Sequence, residues 1–208
     1  MTVVFLPVER FWPLHPDQKT FRPQWTTDLF YFVATHLPAQ LITLAMVVPA
    51  AYASRWLAIP WLVSTVGSLP FLIQLPLAIV VADLSQYAIH RAFHRIPFLW
   101  RFHAIHHSIE TMDWVAGSRS HYVDILITRG LIMIPMTVFG FSQATMAGYI
   151  VFVSFHATFC HTDFRPRTIW IEPYVVTVRY HHWHHAADAN AVDVNFAIHL
   201  PIIDRWFG

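Results

Sequence analysis

Charge is scarce in this chain. Of its 208 residues only 12% are Asp, Glu, Lys or Arg, about half the share of an ordinary soluble domain. The formal net charge is +1, so no basic face exists for nucleic acid. There is one cysteine, Cys160, which excludes an intrachain disulfide and any metal site built from several thiolates. The only glutamates are Glu9, Glu110 and Glu172. No internal repeat and no low-complexity tract is visible. What fills the chain is apolar: 56% of the residues are hydrophobic and the mean hydropathy is +0.45. Disorder is excluded, because disordered chains are polar and highly charged. A water-soluble protein of this size cannot hide so much apolar surface. Against that background stand 15 histidines. An unpartnered polar group in apolar surroundings costs several kcal/mol, so something must offset the burial of those imidazoles.

The length suits a single domain over residues 1–208. Met1 to Gln24 holds no apolar run ending in a small-residue cleavage site, so no signal peptide is expected. Four stretches have the length and apolarity of membrane-crossing helices: about Leu29–Val48, Leu69–Ile89 (with Asp83), Val123–Phe139 (with Asp124 and Arg129 toward its start) and Ala144–Cys160. Gly140 to Gln143 is short enough only for a turn, and Pro49–Ser68, with Trp56 and Trp61, suits the membrane interface. The expectation is an all-α, integral-membrane four-helix bundle made of two hairpins. With a cytoplasmic N-terminus, Arg55 alone lies in the outer loops and Arg129 within a span. The remaining eleven basic residues, from Arg10 to Arg205 and including Arg165 and Arg167, lie inside. The positive-inside rule supports that orientation. It places the polar stretches 90–121 and 161–208, and nearly all the histidines, at the cytoplasmic end.

The histidines fall in boxes. His90 and His94 are spaced i, i+4, which puts both rings on one helix face. His103, His106 and His107 share a face, and His181, His184 and His185 repeat the same H-x-x-H-H spacing. Two such triplets together are expected by chance on the order of 0.003 times. His156 and His161 supply two further candidate ligands. They are five apart, about 140° around an ideal helix, so both can ligate only if the helix ends or bulges between them. His182 faces away from its box, and His121 is either a ligand or a group behind one. His15, His36 and His199 stand singly and read as structural. Asp83, Asp124 and Asp188, with His121 and His182, are candidates to hold the ligand rings from behind.

Eight to ten imidazoles exceed one ion, so two metals are implied. Imidazole suits Zn, Cu, Fe and Ni. A structural zinc closes with four ligands, no H-E-x-x-H occurs, and the glutamates do not form the paired Glu-x-x-His motifs of soluble di-iron bundles. An all-histidine, membrane-associated di-iron site is the chemical sense that remains. A b-haem electron carrier would need axial histidines facing each other at membrane depth. A divalent-metal transporter would need ligands midway through the spans, where only His36 lies.

From Asp83 and Tyr87 onward the chain resembles the fatty acid hydroxylase/sterol desaturase superfamily. The likeness covers roughly residues 80–208, with the boxes beginning near 83. It includes His90-Arg91-x-x-His94, Leu99-Trp100-Arg101-Phe102-His103 leading to His106-His107-Ser108, and Arg119-x-His121. It continues through His156 after an aromatic residue, Asn195-Phe196-Ala197 and Asp204-Arg205-Trp206-Phe207-Gly208. The resemblance implies a four-span bundle with a cytosolic histidine-lined cap over two irons. It implies hydroxylation or desaturation of a membrane lipid, O2 as co-substrate, and electrons from an external donor such as a small cytochrome or a ferredoxin with its reductase. No catalytic residue is expected beyond the metal centre. The ligands it implies are His90, His94, His103, His106, His107, His156, His161, His181, His184 and His185.

Overall fold

The structure, a computed structural model, describes residues 1–165 and 170–208, the side chains of residues 39, 40 and 44 excepted. Arg167, one of the basic residues assigned to the inner side, lies outside the described residues. Among the described residues the chain is all-helical, without strands. The helices are α1 (Thr2–Phe11), α2 (Trp25–Leu57), α3 (Pro60–Ser68), α4 (Phe71–Arg95), α5 (Pro97–His103), α6 (Tyr122–Val138), α7 (Gln143–His161), α8 (Val178–His184) and α9 (Ile202–Phe207). Two single 3₁₀ turns, His106–Ser108 and Ala116–Ser118, lie between α5 and α6.

Four long helices make the body. α6 packs on α2, and α4 packs on both α6 and α7. α2 runs through the stretch expected to be half span and half linker. Its two halves, Trp25–Pro38 and Leu41–Leu57, differ in direction by 41°, at the place where Pro38 removes a backbone donor and crowds the preceding turn. α4 is long and apolar enough to cross a membrane, and α2 also is if its halves are taken as one bent span. The other two expected spans do not reach that measure. α6 has 17 residues, about 25 Å of helix, against a hydrocarbon core of about 30 Å. α7 has 19, but Ser154, His156, Thr158 and His161 make its last two turns polar. The apolar surface is turned outward: Leu72 is 82% exposed, Leu37 74% and Val48 72%. Trp56 and Trp61, near the α2–α3 junction, are also exposed.

The hairpin between α6 and α7 turns at Gly140, whose φ is +79° and where a Cβ would stand 2.8 Å from the Val63 Cα. Only glycine fits both conditions. The Ser142 hydroxyl caps α7 by accepting from the Thr145 amide (3.2 Å). The buried Gln74 carboxamide oxygen on α4 accepts from the Ser142 amide and the Thr145 hydroxyl, both at 3.0 Å.

At the other end of the bundle, a buried ionic cluster ties the N-terminal segment to the loop before α6. Arg22 reaches both Asp113 oxygens at 2.8 Å and Asp28 at 2.7 Å, and Arg119 Nε reaches the other Asp28 oxygen at 2.6 Å. Asp113 Oδ1 also accepts from the Val115 and Ala116 amides, and Arg119 Nη1 donates to the Ser108 carbonyl. Two guanidinium ions and two carboxylates balance in charge, which makes their burial tolerable, while removing one partner strands the others. Asp28→Asn is expected to cost about 3–5 kcal/mol in chemical denaturation of the detergent-solubilised chain. Asp17→Asn, at an exposed position, is expected to stay within about 0.5 kcal/mol.

Candidate metal centre

α4 carries His90 and His94 on one face at its C-terminal end, and α5 ends on His103. The following turn brings in His106 and His107. α8 and its C-cap supply His181, His184 and His185, and α7 ends on His161. These nine rings form two groups. His90, His94, His103, His107 and His184 make one; His106, His161, His181 and His185 make the other. In each group the ring nitrogens lie within 4.8 Å of one another. The groups adjoin: the His107 and His185 rings stack at 4.3 Å.

The hydrogen bonds behind the rings decide where the protons are. His90 Nδ1 donates to the Phe196 carbonyl (2.8 Å), His103 Nδ1 to Asp124 Oδ2 (2.7 Å) and His184 Nδ1 to the Val194 carbonyl (2.7 Å). His106 Nδ1 donates to the Arg119 carbonyl (3.1 Å) and His161 Nδ1 to the Ala157 carbonyl (2.7 Å). These acceptors have no proton to give, so in a neutral ring the lone pair is left on Nε2. Yet His90 Nε2 stands 3.1 Å from His103 Nε2, and His161 Nε2 stands 3.2 Å from His106 Nε2. Such contacts are lone pair against lone pair, not hydrogen bonds, and they repel unless a cation sits among them. Two nitrogens bound about 2.1 Å from one ion, near a right angle, stand about 3.0 Å apart. The buried Nε2 of His94 likewise has no partner. The donor set fits one metal ion in each group.

Aspartates position the carbonyls. Asp83 accepts from the amides of Ile198, His199 and Leu200 at 2.9, 3.1 and 2.7 Å. Asp204 accepts from the amides of Phe196 and Ala197, both at 2.8 Å, and from the Tyr180 hydroxyl at 2.7 Å. Together they pin to α4 and α8 the segment whose Phe196 carbonyl holds His90. Asp124, besides holding His103, accepts from the Thr128 hydroxyl.

Other expected residues lie elsewhere. His156 is outside both groups: its Nε2 donates to the Val176 carbonyl (3.0 Å) and its Nδ1 faces His199 Nδ1 at 2.9 Å. His121 caps α6, accepting from the Val123 amide. His182 lies outside the groups with its Nε2 buried. Asp188 is exposed and closes its own turn by accepting from Asn190, while Asp193 is the carboxylate near His94, at 3.4 Å. Sequence reasoning missed Asp193, and it missed the carbonyls of Arg119, Ala157, Val194 and Phe196, which leave no residue-type signal. The one trace is the Asp193–Asn195 stretch, where both residues hold φ near +60°, a conformation Asp and Asn tolerate better than most residues.

Burial, and then the neighbouring imidazoles, hold His106, His107, His181 and His185 below the usual histidine range. Burial takes His184 down to about 4. These rings are neutral at pH 7, the state that binds metal. Because their folded pKa values lie below the unfolded one near 6.5, the unfolded chain takes up protons first. Stability of the metal-free chain is therefore full above about pH 6.5 and lost as pH falls toward 4. The thermal midpoint of the metal-free chain is expected to drop steeply between pH 7 and pH 5, and added metal to move that drop to lower pH. A second prediction concerns Gly117, where a Cβ would meet His161 Cγ at 2.7 Å. Gly117→Ala is expected to weaken metal binding at the His106 group about 10–100-fold in competition with a chelator, with the His90 group little changed.

Comparison with known proteins gives the same chemistry a context. Residues 75–208 match the fatty acid hydroxylase family model. The chain is 28% identical over 177 residues to the ornithine lipid hydroxylase OlsE of Rhizobium tropici, covering 85% of this chain and 50% of that protein. It is 28% identical over 137 residues to the alkylglycerol monooxygenase of Danio rerio, covering 64% of this chain and 29% of the relative. The human alkylglycerol monooxygenase is 26% identical over 131 residues, covering 63% and 29%. The chain thus spans half or less of the length of these relatives. No solved structure matches it. With the family model matched over all the elements that carry the two histidine groups, the chain belongs to the fatty acid hydroxylase family.

Proposed function

We propose that this chain is an O2-dependent membrane lipid hydroxylase or desaturase with one iron in each histidine group. The observation that carries the reading is the convergence of Nε2 lone pairs, 3.1–3.2 Å apart, in two adjoining groups. A zinc scaffold would not need nine imidazoles, and the relatives named for their chemistry are a hydroxylase and a monooxygenase. When bound, the irons would supply the activation of O2 needed to remove hydrogen from an unactivated C–H bond.

The protein's own contribution is placement and shielding. His90, His94, His103, His107 and His184 would hold one ion; His106, His161, His181 and His185 would hold the other. Asp124 and the carbonyls behind His90, His103, His106, His161 and His184 keep those five Nε2 atoms unprotonated and aimed inward, the role such outer partners play around metals. A cavity of about 300 Å³ lies between α4, α6 and α7 and is walled at one end by His90, His103, His106, His161 and His181. Substrate therefore meets the centre from the bundle side. The partly exposed Trp100 ring lies 5.1 Å from His94 and 5.4 Å from His107 and covers part of that group. In this reading α2, α4, α6 and α7 all cross the membrane, the histidine end is cytoplasmic, and a separate one-electron carrier supplies the electrons.

Purified in detergent and loaded with iron, the chain is expected to hold two irons. His184→Ala and His106→Ala, one from each group, are expected each to lose about one iron and to abolish the lipid product seen by mass spectrometry on expression. Retention of both irons and of the product in both variants would overturn the reading. For the topology, a cysteine placed at Trp61 is expected to react with a membrane-impermeant maleimide from outside the cell, and one at Asn190 only after lysis.

A further inference from the structure

α1 carries no histidine and lies beside the four long helices rather than among them. Phe5 and Glu9, one turn apart, face the bundle. The Phe5 ring is buried against Phe155 of α7, with ring centroids 6.1 Å apart. Glu9 Oε1 accepts from the Trp114 amide at 2.7 Å and from the Asp163 amide at 3.0 Å. About 200° round the helix from Phe5, Val3, Pro7 and Phe11 form one i, i+4, i+8 stripe. All three are exposed, Val3 at 86% and Phe11 at 73%. Arg10, in the last turn, is the one charge on that side and donates to the Thr20 hydroxyl at 2.8 Å.

The depth of α1 says what meets the exposed stripe. The Trp12 carbonyl accepts from the Arg165 amide at 3.0 Å, beyond the end of α7, whereas Phe5 meets Phe155, six residues or about 9 Å of helix rise before His161. α1 therefore runs alongside the last turns of α7 with its Phe5 end deeper along that helix. Leu6 lines one cavity with Phe21, Trp25 and Leu29, which sets α1 beside the start of α2. The stripe continues into exposed aromatic pairs, Phe11 with Trp12 at 5.9 Å and Phe21 with Trp25 at 4.9 Å, and then into the exposed apolar surface of α2. Tryptophan is favoured where a bilayer meets water, and an exposed apolar stripe of this kind suits a helix lying in that interface. Arg10 and the exposed Lys19 stand where lipid phosphates would be.

The inner side of α1 leads to the metal centre. Trp114 belongs to the loop whose Gly117 abuts the His161 ring and whose Arg119 carbonyl holds His106. Asp163 follows His161 by two residues, and Gln18 Nε2 donates to the Met112 carbonyl at 2.8 Å. These ties reach segments that serve the group of His106, His161, His181 and His185. Resting on the membrane crossing of α2, α4, α6 and α7 proposed above, we infer that α1 binds the phospholipid leaflet at the histidine end and braces that second group. Its Val3–Pro7–Phe11 stripe lies against acyl chains, Arg10 and Lys19 meet phosphates, and Glu9 fastens the opposite side to the two segments that position His106 and His161. Attachment to lipid thereby steadies one metal site and not the other.

Depth is measured with nitroxide labels on Val3→Cys, Asp17→Cys and Val80→Cys, the last at an exposed position of α4; the buried Cys160 is left in place. The chain is placed in nanodiscs of phosphatidylcholine and phosphatidylglycerol, and power saturation compares collisions with O2 and with a water-soluble nickel chelate. The O2-to-chelate ratio at Val3 is expected to lie nearer that of Val80 than that of Asp17. A ratio at Val3 equal to that at Asp17, with Val80 still favouring O2, overturns the proposal and leaves the membrane crossing standing. A label at Val80 that also favours the chelate overturns the crossing itself. Bracing is measured as iron(II) release to a chelator in the same nanodiscs. His184→Ala leaves the second group to hold its ion and His106→Ala leaves the first. Adding Phe11→Asp is expected to speed release about tenfold in the His184→Ala chain and to change it less than twofold in the His106→Ala chain, while Phe11→Leu changes neither. Equal acceleration in both chains, or none in either, overturns the proposal.

Discussion

Everything at the histidine-bearing end of the helices is arranged around one constraint: five of the nine clustered rings keep their proton on Nδ1. A histidine that could choose its tautomer would satisfy a neighbour by donating from Nε2, and the groups would collapse into ordinary hydrogen-bonded pairs. Five rings are denied that choice by an acceptor at Nδ1, four of the acceptors being backbone carbonyls and one being Asp124. A carbonyl is the stricter device. A carboxylate can be protonated and reverse the bond, whereas a carbonyl never donates. The composition anomaly of many histidines in an apolar chain thus resolves into lone pairs held together until a cation offsets their repulsion.

Carbonyls can do this only where the backbone is immobile, and that requirement explains where the scarce charges are found. Asp83 and Asp204 accept five backbone amides between them across residues 196–200. Asp28, Asp113, Arg22 and Arg119 fix the loop whose residue 119 carbonyl holds His106. In a chain with few charged residues, those buried at this end serve backbone positioning more than surface solvation. Asp83 therefore acts on the metal centre at one remove. It fastens the segment whose Phe196 carbonyl holds the His90 ring.

The same division explains what the sequence showed. Helix content, the hairpin turn at Gly140 and the spacing of the boxes are local patterns, and each was legible: i, i+4 and H-x-x-H-H spacings put rings on one face whatever the fold. The partition of nine histidines into groups of five and four was not, because His106 and His107 are neighbours in sequence yet point into different groups. The supporting carbonyls were equally hidden, since any residue has one. Asp113 and Arg22, 91 residues apart, give no pairing signal. Asp188 is the candidate the sequence offers beside the third box, but it is exposed in a turn closed on Asn190, and Asp193 is the carboxylate that comes near His94.

His156 and His161 show how a spacing argument can be right about geometry while leaving the outcome open. Five residues place them about 140° apart, so on a continuous helix only one can face the centre. α7 does stay helical through both, ending at His161. There is no bulge, and the geometry therefore selects one ring. His161, at the helix end, is the one that stands in a histidine group, beside Gly117, where the absence of a side chain leaves room for its ring. His156, one and a half turns deeper, turns to Val176 and His199 instead. Because His156 donates from Nε2, its Nδ1 must accept, and His199 must donate from its own Nδ1. That leaves the buried His199 Nε2 as an acceptor without a partner. The pair links α7 to the segment that Asp83 pins, so His156, outside both histidine groups, ties backbone segments together as the aspartates do.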